Sequence, residues 1–333
     1  MGRITIKDIA KLLEVNPSTV SRALKDHPDI GVAMKLKVKQ VANDLGYRPN
    51  YQAIRFRQNK SGLIGLIIPE LGMFFFPSVV KAIEGIVKKN GYNLIILHSN
   101  DFLEKEKEGA LICQNFGLDG LLVCLSKQTL NVQHFAEIMH RKTPVVFFDK
   151  VIQQPALSTV VINDKSAAFT AINHLAKKGY KKISGVFNHA NLEISQRRRD
   201  GFLAALAKHK LPYYEEFCFH SDSLEKTKTE FAKLLEQPVL PDAVFAMTDQ
   251  ILAGIIQVIY EKGLSIPDQL AVICISNGNL PYYLNPTITH IRHSGHEVGK
   301  AAVELLFDLM NDQIIVEKRQ VELETFLVEL DSC

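Results

Sequence analysis

Residues 5–25, TIKDIAKLLEVNPSTVSRALK, decide how the whole chain is read. Ile6, Ile9, Ala10 and Leu13 recur at i, i+3, i+4 and i+7, which draws one apolar stripe along a first helix. Thr5 and Asp8 are spaced to cap it as a Thr-x-x-acid box. Asn16 is the expected cap of a second helix. Pro17 takes its first position, where a missing N–H costs nothing, and Val20, Ala23 and Leu24 form its buried edge. That leaves Ser18, Ser21, Arg22 and Lys25 facing outward. Small hydroxyls and long cations are the groups that reach base edges and phosphates from a helix lying in a DNA major groove. The pattern predicts a helix-turn-helix with its recognition helix at 17–25.

Outward from this stretch, Val38, Val41, Ala42 and Leu45 mark a third helix stopped by Gly46, with Lys35, Lys37 and Lys39 adding positive charge. Tyr47-Arg48-Pro49-Asn50 reads as a turn. Residues 51–57 suit two further helical turns, with Arg55, Arg57 and Lys60 as cations and Phe56 as a protruding apolar residue. Residues 1–60 hold 12 Lys+Arg against 5 Asp+Glu, net +7, so with +3 overall the other 273 residues carry −4. Basic charge confined to the head fits a head that meets a polyanion and a body that does not. The competing reading is a ligand-binding sensor whose head makes protein contacts, its cations merely solvated.

At 333 residues the chain is long enough for two or three domains with full cores. Cys113, Cys124, Cys218, Cys274 and Cys333 are scattered without a Cys-x-x-Cys pair, which points to free thiols in a reducing cytoplasm. No apolar run reaches membrane-spanning length and no export signal opens the sequence. From Gly62 onward, apolar runs at 63–68, 93–97, 121–125 and 145–148 alternate with helical patterns near 77–90, 104–116 and 132–142. The scheme repeats with strands at 159–162, 182–187, 243–246 and 271–275, separated by helices near 164–178, 195–209, 225–236 and 249–262. A last helix near 295–311 and an extended tail follow. Such alternation predicts parallel sheets covered on both faces, in two halves with a ligand cleft where their strand ends meet.

An enzyme is not indicated. No Gly-x-Gly-x-x-Gly follows the first body strand, and neither a phosphate loop nor a Gly-x-Ser-x-Gly elbow occurs. His290, His293 and His296 are spaced by three, but an extended segment running into a helix start does not converge three rings on one ion. No cofactor and no metal is expected.

These features resemble the lactose-repressor (LacI/GalR) family of bacterial transcription regulators. The matching motifs are T-x-x-D-I-A from Thr5, V-x-x-S-T-V-S-R-A-L from Val15, L-G-Y-R-P-N from Leu45 and G-L-I-x-P from Gly65. The resemblance implies an all-α helix-turn-helix head (1–49), a hinge helix (50–60) and an α/β periplasmic-binding-protein-like body of two parallel-sheet lobes (61–333). Lobe 1 would take about 61–161 and 291–321, and lobe 2 about 162–290 and 322–333, with chain crossings near 162, 290 and 322. It further implies a homodimer on pseudo-palindromic, double-stranded operator DNA, most often as a repressor, controlled by a sugar or sugar derivative in the cleft. Its DNA contacts would come from Thr5, Asn16, Pro17, Ser18, Thr19, Ser21, Arg22, Lys25, Tyr47, Asn50, Ala53, Phe56 and Arg57. Phe56 stands where the family usually has Leu as a minor-groove wedge. Glu14 replaces a turn Gly, Gly31 a capping Ser, and Met34 a Thr.

By the same resemblance, Phe75, Phe76, Asn100, Asp149, Arg198, Thr248, Asp249, Ser276 and Asn277 would line the effector pocket. Ser195-x-x-Arg198-x-x-Gly201-Phe202 matches the family motif whose Arg reaches the effector, while Arg197 and Arg199 are expected to face solvent. Sugar-responsive members carry G-F-D-[DN] where this chain has Cys274-Ile275-Ser276-Asn277. With that carboxylate missing, Arg198 is expected to be less neutralised, which favours an anionic effector such as a sugar acid or phosphorylated sugar.

Overall fold

The computed structural model describes residues 4–47, 60–72, 75–152, 154–311 and 319–333. Two compact units divide the chain, residues 1–61 and 62–333. In the first, α1 (Ile6–Leu12), α2 (Pro17–Leu24) and α3 (Val32–Asp44) pack round one small core. Ile9, Val20, Ala23 and Val38 are wholly buried there, the same side chains that the 3.6-residue period selects. Asp8 caps α1 by accepting from the Thr5 N–H at 2.8 Å and the Thr5 hydroxyl at 2.7 Å. Asn16 flanks α2 without the expected side-chain bond, so Pro17 alone marks that start. Gly46, at φ +62, ends α3 in the left-handed region.

The second unit holds two six-stranded sheets. The first runs β11-β5-β4-β3-β1-β2, built from β1 (Leu63–Ile68), β2 (Asn93–His98), β3 (Gly120–Val123), β4 (Val145–Phe148), β5 (Ser158–Ile162) and β11 (Gln320–Leu323), all parallel. Its helices are α4 (Phe75–Lys89), α5 (Leu103–Phe116), the short α6 (Ala136–His140) and α12 (Gly295–Asn311). The second sheet runs β12-β10-β9-β8-β6-β7: β6 (Ile183–Phe187), β7 (Cys218–His220), β8 (Ala243–Ala246), β9 (Ala271–Ser276), β10 (Thr289–Arg292) and β12 (Phe326–Val328). Here β12 lies antiparallel to β10 while the other strands are parallel. Around it stand α7 (Asp164–Lys178), α8 (Glu193–Lys208), α9 (Leu224–Leu234), α10 (Asp249–Glu261) and α11 (Leu280–Tyr283). Central strands such as AVICIS in β9 are buried at every residue, because helices cover both faces and no polar alternation is needed.

The chain passes between the sheets three times: from β5 into α7, from β10 into α12, and from β11 to β12. Two glycines set close helix packing. A Cβ on Gly299 of α12 would lie 2.6 Å from the Val79 carbonyl oxygen of α4, and one on Gly201 of α8 would collide with the Lys165 carbonyl of α7. The tail finishes the second sheet. Ser332 is wholly buried, accepts the Thr289 N–H through its hydroxyl at 2.9 Å, and its carbonyl accepts the Val272 N–H at 3.0 Å. The pattern reading passed over β7 and α11, read β10 as an extended crossover without assigning it a strand, and read β11 and β12 only as an extended tail, because runs of three or four residues leave too few positions to show a period. Among the described residues no helix is long and apolar enough to cross a membrane.

Candidate functional site

In the head, α2 buries Val20 and Ala23 and leaves Pro17, Ser18, Arg22 and Lys25 exposed, with Thr19 and Ser21 half-buried at its edge. Thr5 and Asn16 are exposed and Tyr47 is half-buried. Arg22 is held only loosely, 4.0 Å from Asp29 with both side chains in solvent, so its guanidinium remains available to another acceptor. Lys39 is committed to Asp26 at 2.7 Å. Glu14, at φ +53, occupies the left-handed turn between α1 and α2 that suits glycine. Asn50, Ala53, Phe56 and Arg57 lie outside the described residues.

In the body, strand ends and helix starts bring a charged cluster together between the two sheets. Arg198 of α8 is 3% exposed. Its Nε donates to Asp164 at 2.8 Å and its Nη1 donates to the Met247 carbonyl. Gly201 makes this possible: with no side chain there, α8 closes on α7 and Arg198 meets the first residue of α7. Asp149, at the end of β4 with φ +59, and Asp249, at the start of α10, also lie within the field of Arg198. Thr248 caps α10 through its hydroxyl, which frees the Asp249 carboxylate to accept the Ser276 hydroxyl at 2.7 Å and the Asn277 N–H at 3.2 Å. Burial pushes the carboxyls of Asp149 and Asp249 above their ordinary range and lifts Asp164 to about 6, against the pull of Arg198. Burial, reinforced by Arg198, drives His293 down to about 3.

The other expected residues divide. Phe75 is 6% exposed and belongs to the core, edge-on to Phe76 at 5.1 Å and beside the His293 ring at 5.5 Å. Phe76 is half-buried. Asn100 is exposed, with φ +49, and its N–H turns back to the Pro69 carbonyl at 2.7 Å. Arg197 does not face solvent freely: it pairs with Glu322 of β11 at 3.0 Å, across the two sheets. Arg199 rests against Tyr213. The expectation of an under-neutralised Arg198 is corrected by Asp164, which stands against the guanidinium.

Sequence reasoning missed Asp164, His293 and Met247. Asp164 follows a crossover strand and opens a helix, the same placement that singled out Asp249, and that parallel was the available signal. Among the described residues no three His, Cys, Asp or Glu side chains are placed to hold a metal. His293 instead enters the cluster alone, while His290 turns to the Ile288 carbonyl and His296 is exposed. A separate cavity of about 440 Å³ lies between α8 and β7, lined in part by Gln196, Arg199, Tyr213 and Phe219. Its guanidinium and phenol bind each other, so convergent unspent polar groups favour the Arg198 cluster as the functional centre.

Residues 5–50 match the bacterial regulatory proteins of the lacI family, and residues 172–333 a periplasmic binding protein-like domain. The HTH-type transcriptional regulator MalR of Clostridium butyricum is 31% identical over 99% of both chains. The chain belongs to the lacI family. Its members are transcription regulators and not enzymes. Among solved structures, the lac repressor dimer bound to operator and the anti-inducer ONPF superposes with a TM-score of 0.87 at 20% identity, covering 99% of each chain. The complex of the regulator CelR with cellobiose gives 0.74 at 20% identity, covering 99% of this chain and 100% of its own. At that identity both speak for the fold of this family member.

Proposed function

We propose that this lacI-family regulator is a cytoplasmic repressor that binds a pseudo-palindromic operator as a homodimer and is released from it, or held on it, by a small-molecule effector between its lobes. The carrying observation is the division of α2, with Val20 and Ala23 fully buried and Ser18, Arg22 and Lys25 presented on the other side. A two-fold dimer of such heads reads two half-sites. Asn50, Ala53, Phe56 and Arg57 would supply the hinge contacts. In the body, Phe76, Asn100, Asp149, Arg198, Thr248, Asp249, Ser276 and Asn277 are the proposed effector residues, with Phe75 acting from beneath as their packing support. The repressor whose solved dimer holds operator and anti-inducer, and the regulator solved with cellobiose, support both halves of this reading.

Coupling would run through lobe closure. Lys127, following β3, stands 3.8 Å from Asp222, following β7, and Arg197 pairs with Glu322, so two ion pairs cross between the lobes. An effector that binds one closure state better shifts the population toward it, and by no more than that difference in affinity.

Selection of fragments of the source organism's genomic DNA by the purified chain tests the reading, with enrichment of one palindrome expected. Arg22→Ala should then lose sequence preference. Lys37→Ala should weaken binding to all DNA and reduce the salt slope by about 1. Unchanged selectivity in Arg22→Ala would remove α2 from the recognition role.

A further inference from the structure

The charge balance of the inter-lobe cluster names the chemistry of its ligand, and this rests on the reading of that cluster as the effector site. One guanidinium faces the three carboxylates of Asp149, Asp164 and Asp249. Two of its five N–H donors are engaged, Nε on Asp164 and Nη1 on the Met247 carbonyl. The neighbouring Lys150 also acts on Asp149 but is bonded to Asp101 at 2.6 Å, so that counting this pair two cations stand against four acids. Asp249 receives a hydroxyl and an N–H, which satisfy its oxygens without cancelling its charge. Asp149 has only the Cys124 thiol at 3.8 Å among the side-chain partners described, yet it stays partly open to the cleft. His293 adds no positive charge, since its imidazole is held neutral far below the ordinary range.

A second observation points to a missing partner. The His293 ring is 6% exposed, stands beside Phe75, and its Nδ1 is buried without a hydrogen-bond partner. A buried polar atom left unpaired costs about 1–3 kcal/mol, and a carboxylate without a cation costs more, so groups of this kind persist where a ligand completes them. An anion would add to an excess of negative charge. A neutral polyol would satisfy hydrogen bonds and leave the charge.

We propose that the effector is an amino sugar or related polyol bearing a protonated amine, its ammonium placed at Asp149 opposite Arg198, with His293 Nδ1 paired to one of its hydroxyl or amine groups. This reverses the anionic preference drawn from the sequence. Asp149 then recognises charge, and Asp249, with Ser276 and Asn277 holding it, is left to take hydroxyls.

The test is calorimetric titration of the full chain at pH 7 with glucosamine, galactosamine and mannosamine, each beside its neutral parent sugar and its N-acetyl derivative, and with gluconate and glucose 6-phosphate. At least one amine is expected to bind about tenfold or more tighter than both its parent and its acetylated form, the difference made by one charge-assisted contact. Asp149→Asn should erase that difference, and the two acids should bind more weakly than glucose. Should no amine bind tighter than its parent, or should an acid bind best, the proposal is overturned. Operator release measured in the same samples separates the failures. Release by a neutral sugar or an acid would leave the effector-controlled repressor standing and remove only the amine, whereas no enriched palindrome from genomic DNA would remove the repressor itself.

Discussion

Two buried carboxylate sites in the body show how differently a fold treats the same group. Glu106 of α5 is wholly buried and fully partnered: it accepts the Ser126 N–H at 2.5 Å, the Thr129 hydroxyl at 2.8 Å, and meets His134 Nε2 at 2.8 Å. All three partners follow β3, so this carboxylate fastens one loop to one helix. Asp149, Asp164 and Asp249 are drawn instead from both sheets and lie in the field of one guanidinium, and hydrogen bonds to Asp164 and Asp249 leave their negative charge in excess. Burial alone therefore does not mark a functional acid. What distinguishes the second cluster is that its members come from both lobes and that its charge does not close.

The comparison breaks most readily at Arg198. Arg198→Ala should cost about 3–5 kcal/mol in denaturant unfolding of the body, because it strands buried carboxylates, and should abolish ligand binding. A loss below about 1 kcal/mol would mean that the acids are already uncharged and that the two clusters differ little. Glu106→Gln should cost about 1–3 kcal/mol, since an amide cannot accept at both ends, while leaving the preference among ligands as it was. A changed preference would bring the loop after β3 into the site.

Acid sharpens the contrast. His293, with a folded value of about 3, contributes stability that is present above its ordinary value near 6.5 and is lost as pH falls toward 3. Asp164 runs the other way: raised to about 6, it favours the folded state as pH falls from 6 toward its ordinary value near 3.8 and loses that contribution as pH rises. Between pH 7 and 5, His293→Gln should lose about 1–2 kcal/mol less stability than the parent chain, and Asp164→Asn should lose more than the parent. Parallel melting curves at the two pH values read both signs. The smallest effect is expected in the head. Glu14→Gly should stabilise that unit by about 0.5–1 kcal/mol by relieving a left-handed residue, and no gain would show that the turn carries no strain.

Period and motif carried most of the architecture. The stripe Ile9, Val20, Ala23 and Val38, the strands from Leu63 to Phe148 and the helix starts at Asp164 and Asp249 are local facts, written in spacing that any window of the chain displays. The site was legible only by residue type. Arg198 was visible through its motif, but its neutralisation by Asp164 is a contact between residues 34 apart, made when Gly201 lets two helices close. Likewise His293 was noticed for its spacing, whereas its place in the cluster follows from the crossover that carries it off β10 to Phe75. Nothing in a linear pattern states which ring will be left without a partner.

The buried Ser332 also bears on how the protein is made. Synthesis delivers β6 to β10 long before it delivers the residues that join Val272 to Thr289 and lay β12 along β10. Until residues 320–332 leave the ribosome, the second sheet keeps a bare edge, and the first still lacks β11. A nascent chain of this protein therefore waits with both halves unsealed, open to chaperones and to pairing with other edges, until that single late segment supplies a strand to each sheet.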